Sequence, residues 1–158
     1  MYKSFILAIL SLSILTSCSF NNPLSKKANL VYLECPKSLI LAPGKSLTKE
    51  NINISLSKNY SVDCYFNENS LNDVIFDFNY QLNVNANDKK SILTSVDLWI
   101  FLTDKKEAKK ISENSFKKSF EISEITEGGN NISLTFNDSV KLKRSEYDQG
   151  IKIFLSLN

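Results

Sequence analysis

The sequence contains no histidine. That removes Ser-His and Cys-His nucleophile pairs, imidazole general bases and His-bound zinc in one step. Glycine is scarce, at four residues in 158, which speaks against Gly-rich loops that cradle phosphates. Of 19 basic residues only Arg144 is arginine, and the formal net charge is +2. A balance so close to neutral leaves no electrostatic footprint for nucleic acid. Neither a cofactor, a metal nor an enzymatic reaction is expected from what remains. Carboxylate-only chemistry stays open, because two acids such as Asp63 and Asp97 can meet in space, but no spacing singles out a pair.

Long hydrophobic runs are also lacking. The chain opens MYKSFILAILSLSILTSC, in which Lys3 precedes one apolar run from Phe5 to Leu15. A membrane-spanning helix needs about 20 such residues, so this run has the length of a signal-peptide core instead. It ends in Leu15-Thr16-Ser17-Cys18, which resembles the lipobox of bacterial lipoproteins. The resemblance implies that residues 1–17 are removed and that Cys18 becomes the first residue, its thiolate carrying diacylglycerol. Two or three acyl chains on one residue give a firm membrane anchor. In enterobacterial lipoproteins a Ser after the Cys, as Ser19 here, implies the outer membrane, on its periplasmic side. The alternative is ordinary secretion, with cleavage after Ser19 releasing a soluble protein. Both readings place the body of the chain outside the cytosol.

Loss of residues 1–17 leaves 141 of the 158 residues, a normal size for one domain. Residues 18–29 read as the lipidated Cys and a polar, flexible tether, and 30–158 as the domain. Two cysteines remain within it, Cys35 and Cys64. An even count in an oxidising compartment reads as a disulfide. It closes a loop of about 30 residues, which the chain-entropy estimate values at ~3.5 kcal/mol. A pair of buried free thiols is the alternative. A metal site fits poorly, with two ligands far apart and no histidine.

The body is a succession of strand signals. LVYLECPKSLILAP begins it, with Pro36 marking an edge or a break. NINISLS (51–57) and SVDCYF (61–66) follow. The clearest strand is DVIFDFNYQLNVN (73–85), where Val74, Phe76, Phe78, Tyr80, Leu82 and Val84 alternate with mostly polar residues. Such alternation means a sheet with one dry and one wet side. A turn at 87–90 leads to SILTSVDLWIFLT (91–103), and KKISENSFKKSFEIS (109–123) is a weaker, Lys-rich strand. Gly128-Gly129-Asn130 reads as a hairpin turn before NNISLTF (130–136). GIKIFLSL (150–157) ends the chain. About seven or eight short strands predict an all-β antiparallel sandwich of fibronectin-III or immunoglobulin type, with a small barrel as runner-up.

The set Cys35-Pro36, Pro43-Gly44 and Cys64 is similar to that of uncharacterised alphaproteobacterial envelope lipoproteins, over roughly residues 15–158. This resemblance implies a sandwich and carries over no functional residue beyond the cysteines.

Some faces that should be wet carry large apolar residues. Trp99, Phe101, Phe154 and Ile75 form an interaction patch if their strands are neighbours. Alternatively, a loop or the 19–40 segment covers them. Lys105, Lys106, Lys109, Lys110, Lys117 and Lys118 crowd one stretch. They suit anionic headgroups or an acidic partner, or else an edge strand blunted against aggregation. The expected activity is non-catalytic: a membrane-tethered module that docks an envelope protein. A small-ligand or lipid carrier is the alternative.

Overall fold

The computed structural model describes residues 29–49, 51–86, 92–122 and 130–158. Cys18, the tether up to residue 28 and the expected turns at 87–90 and 128–129 lie outside the described residues. Ten strands and one short helix follow in the order β1 (Leu30–Leu33), β2 (Ser38–Ile40), β3 (Ser46–Lys49), β4 (Ile52–Leu56), β5 (Ser61–Asn67), β6 (Ser70–Ala86), β7 (Ile92–Asp104), β8 (Lys110–Ile122), β9 (Asn130–Lys143), α1 (Arg144–Tyr147) and β10 (Ile151–Leu157).

They form two sheets. In sheet A the long β6 pairs along one edge with β5 and then β4, and along the other with β9. The strands β1 and β3 lie outside β5 and β4. Sheet B runs β2-β10-β7-β8, with β2 parallel to β10 and the other pairs antiparallel. No pairing joins β8 to β9 among the described residues, so the sheets form a sandwich and not a barrel.

The chain crosses between sheets from β1 to β2 and back to β3, and then from β6 to β7, β8 to β9 and β9 to β10. With β6 against β9 in one sheet and β7 against β10 in the other, these crossings give the Greek-key arrangement expected of the fibronectin-III and immunoglobulin class. One departure is that β2, from the start of the domain, lies along the far edge of β10. The expected hairpin at 128–130 is corrected by these pairings. Strands β8 and β9, on either side of it, belong to different sheets and do not pair among the described residues.

The alternation read from the sequence sets the core. Val74, Phe76, Phe78, Tyr80, Leu82, Val84 and Ala86 of β6 are buried. They face Val96, Leu98, Ile100 and Leu102 of β7 and Ile151, Ile153, Leu155 and Leu157 of β10, within one hydrophobic cluster. Each fully buried Leu, Ile or Phe contributes about 1.5–3 kcal/mol. Pro36 does break the first extended segment. The chain leaves sheet A after Leu33 and joins sheet B at Ser38, and Cys35 in this crossover forms a disulfide with Cys64 of β5. Their Cα atoms are 5.3 Å apart.

Strand β9 runs seven residues past the expected end at 136. Its inward positions are Ile132, Leu134, Phe136, Asp138, Val140 and Leu142. The acid at 138 interrupts the apolar pattern that sequence reading relies on.

Candidate functional site

The outer face of sheet B is built by register. Leu39 of β2 lies opposite Phe154 of β10, Phe154 opposite Phe101 of β7, and Phe101 opposite Glu113 of β8. In the next row Ser156 lies opposite Trp99, and Trp99 opposite Ser115. Side chains two residues apart on a strand share a face, so Trp99 and Phe101 stand together. Their rings stack, with centroids 5.9 Å apart and planes 19° apart. Lys110 lies 6.0 Å from the Phe101 centroid and pairs with Glu113. Leu39 is 40% exposed, while Trp99, Phe101 and Phe154 are half-buried.

The expected patch therefore changes in two ways. Ile75 does not belong to it: β6 lies in sheet A, where Ile75 sits between Tyr65 and Lys141 on the opposite outer surface. Leu39 takes its place, and sequence reading missed it because it falls in a three-residue strand with no alternation to count. Second, the turn after β2 closes the Trp99 end. The Gly44 carbonyl accepts from Leu157 N–H at 2.7 Å, and a side chain at Gly44 would collide with Ser156. The Trp99 indole N–H is buried without a hydrogen-bond partner among the described residues. Leaving such a donor unpaired costs about 1–3 kcal/mol.

The lysine stretch does not form one surface. Lys118 points inward, between the sheets. Its ammonium donates to Asp138 Oδ1 at 2.6 Å and lies 5.7 Å from the Phe116 centroid and 5.3 Å from that of Phe136. The Tyr80 hydroxyl donates to the other oxygen, Oδ2, at 2.6 Å. The phenol is pushed far above its ordinary value, first by burial and then by Asp138. Lys118 and Asp138 keep only 15% and 9% of their side-chain exposure, so the pair is largely desolvated. Lys117 points outward from the same strand, while Lys105, Lys106 and Lys109 occupy the β7–β8 turn.

Asp63 and Asp97 do not meet. Asp63 is on the outer face of sheet A and Asp97 on β7 of sheet B. The acid opposite Asp63 is Asp77, on β6. Asp77 accepts from the Tyr65 hydroxyl at 2.6 Å and from the Ser139 hydroxyl. Burial, and then Asp77, push the Tyr65 phenol up to about 12. Asn79 and Asn137 complete a shallow polar cleft of about 410 Å³ on this face. Among the described residues no group of three or more Cys, Asp or Glu is placed to hold a metal ion.

A larger open cleft, of about 550 Å³, lies at the end where the described chain begins. Glu34, Cys35 and Lys37 of the β1–β2 crossover line it, with Lys105, Tyr147, Asp148 and Lys152. The Tyr147 hydroxyl donates to the Glu34 carbonyl at 2.7 Å and ties α1 to this crossover. Burial, then Glu34 and Asp148, raise its phenol above the ordinary value. Gly150 has φ +82, a conformation that suits glycine, and a side chain there would meet the Lys105 stem.

No protein-family model, curated protein or solved structure matches this chain.

Proposed function

We propose that the chain is a lipoprotein of the bacterial envelope, anchored through acylated Cys18, on the periplasmic side of the outer membrane. It acts without catalysis, by docking another envelope protein on the outer face of sheet B. The observation that carries the docking reading is the row Leu39–Phe154–Phe101, with Trp99 beside it. These large apolar residues stand on a sheet face where strand alternation calls for polar ones. The matching face of sheet A carries Asp63, Asp77, Asn79, Asn83 and Asn137 beside the row Tyr32–Tyr65–Ile75, in which Tyr65 donates its hydroxyl to Asp77. Exposed apolar groups rimmed by polar ones mark interaction sites, and aromatic residues anchor them. The carrier alternative needs room between the sheets, and Phe76, Phe78, Tyr80, Leu98 and Ile100 occupy that space.

The test is in-cell crosslinking from photoreactive residues placed at Trp99 and Phe101, with Gln81 on sheet A as control. The expected result is one envelope protein captured from both positions and not from Gln81. Capture of nothing specific, or of the same proteins from all three, removes the docking reading.

A further inference from the structure

The aromatic row does not account for the lysines at the end where the tether enters. The Asn29 carbonyl accepts from Glu68 N–H in the β5–β6 turn, so the chain joins sheet A at that end. Strands β6 and β9 meet there at Asp73 and Lys143, and α1 leads across to β10. Strand β10 begins at Ile151, opposite Asp104 at the end of β7. The β5–β6 turn, α1, the β7–β8 turn and the cleft beside Cys35 are therefore at one end of the sandwich.

The charges at this end are not evenly held. Lys152 pairs with Glu107, and Asp148 lies 4.0 Å from Arg144. Asp104 accepts the N–H groups of Ala108 and Lys109 and so fixes the β7–β8 turn. Lys37, Lys105, Lys106 and Lys109 are exposed and make no ion pair among the described residues. Glu34 in the cleft, and Glu68, Asp73 and Glu146 around this end, likewise make no ion pair among the described residues, so what marks this end is the clustering of the four lysines beside the cleft and not an excess of positive charge. Leu71, the second residue of β6, is 55% exposed. The eleven residues 18–28 span at most about 40 Å when fully extended.

Resting on the reading that Cys18 is acylated, we infer that Lys37, Lys105, Lys106 and Lys109 contact anionic phospholipid headgroups of the membrane that holds the anchor. A short tether keeps this end near the bilayer, and lysines close to an anionic surface are attracted within a Debye length of it. The contact orients the domain with its long axis away from the membrane, and the outer face of sheet B stays open sideways.

The test uses the full-length lipidated protein in vesicles of phosphatidylcholine alone or with phosphatidylglycerol. Amine-reactive labelling is read lysine by lysine by mass spectrometry. Lys49 and Lys117, away from this end, are internal controls. On phosphatidylglycerol vesicles labelling of the four lysines is expected to fall about fivefold, the factor corresponding to the attraction of one lysine to such a surface. High salt is expected to restore it, with Lys49 and Lys117 unchanged. Acylated protein that labels equally on both vesicles overturns the headgroup contact alone. A Cys18 peptide without acyl mass overturns the anchor, and this inference with it. Protection by millimolar inorganic phosphate on neutral vesicles assigns the cleft to free phosphate and overturns the membrane contact.

Discussion

On one flank of the sandwich the chain crosses from β1 to β2 and is tied by the Cys35–Cys64 disulfide to β5. On the other flank β8 and β9 run side by side unpaired, and Lys118, Asp138 and Tyr80 hold them together. The two ties solve the same problem with different physics. A disulfide acts mainly by reducing the freedom of the unfolded chain, and it needs an oxidising compartment. The ion pair acts in the folded state, and only if both charges and the phenol are in place. Desolvation makes an unmatched partner costly. The ion pair also has a second consequence. An inward-pointing charge on each of two free edges makes either strand a poor template for a foreign strand.

Four measurements break or sharpen this contrast. The largest effect is expected from Asp138→Ala, which strands the Lys118 ammonium and the Tyr80 hydroxyl. Denaturant unfolding should show a loss of about 3–5 kcal/mol. The double variant Lys118→Met with Asp138→Leu should recover most of it, since a hydrophobic pair of similar size carries no unmatched charge. A single-variant loss below about 1 kcal/mol, the range of a surface pair, would break the comparison.

Cys35→Ser with Cys64→Ser comes next, at ~3.5 kcal/mol. Wild-type protein unfolded with a reductant should lose the same amount, and the variant should not respond to the reductant. A wild-type protein indifferent to reductant would mean that the flank is held by packing alone.

Tyr80→Phe is expected to cost about 1.5–3 kcal/mol, the worth of one hydrogen bond to a charged group. The cost should vanish when it is measured in the Lys118→Met, Asp138→Leu background. Persistence there would show that Tyr80 acts through packing and not through Asp138.

The smallest effect is on the disulfide flank, where Tyr65 adjoins Cys64. Its phenol is raised to about 12, so the neutral form is favoured in the fold. Its contribution is complete below pH 10, the unfolded value, and is lost as pH rises from 10 towards 12. In an ultraviolet titration of the phenolate, Tyr65→Phe should delete a late transition near pH 12. Loss of an early one near pH 10 instead would contradict the hydrogen bond to Asp77.

Much of the fold was legible where local pattern and burial agree. Alternation over 73–85 and along 94–102 matches the two long strands β6 and β7 and their dry faces. The cysteine count pointed to the disulfide. The pattern failed at Asp138 and Lys118, where a charge sits at an inward position and is acceptable only because its partner faces it from another sheet. It also failed at β3 and α1, which are too short to show a period, and it could not tell that the strand of Ile75 is no neighbour of β7 and β10. The candidate patch was half legible: Trp99, Phe101 and Phe154 were singled out as apolar residues on wet faces, but Leu39 and the closing turn at Gly44 were not.

By itself the sequence determined the dry faces of the strands with unbroken alternation, that the chain is built of strands, and the polar stretch of 19–29 that follows an apolar run and Cys18. These depend on side-chain chemistry and spacing along one strand. Only the tertiary structure decided which sheet each strand joins, that Lys118 meets Asp138, and that Leu39, Phe154 and Phe101 share one row. Those outcomes depend on register between strands distant in sequence, and register is settled by the packing of the whole core, not by any segment alone.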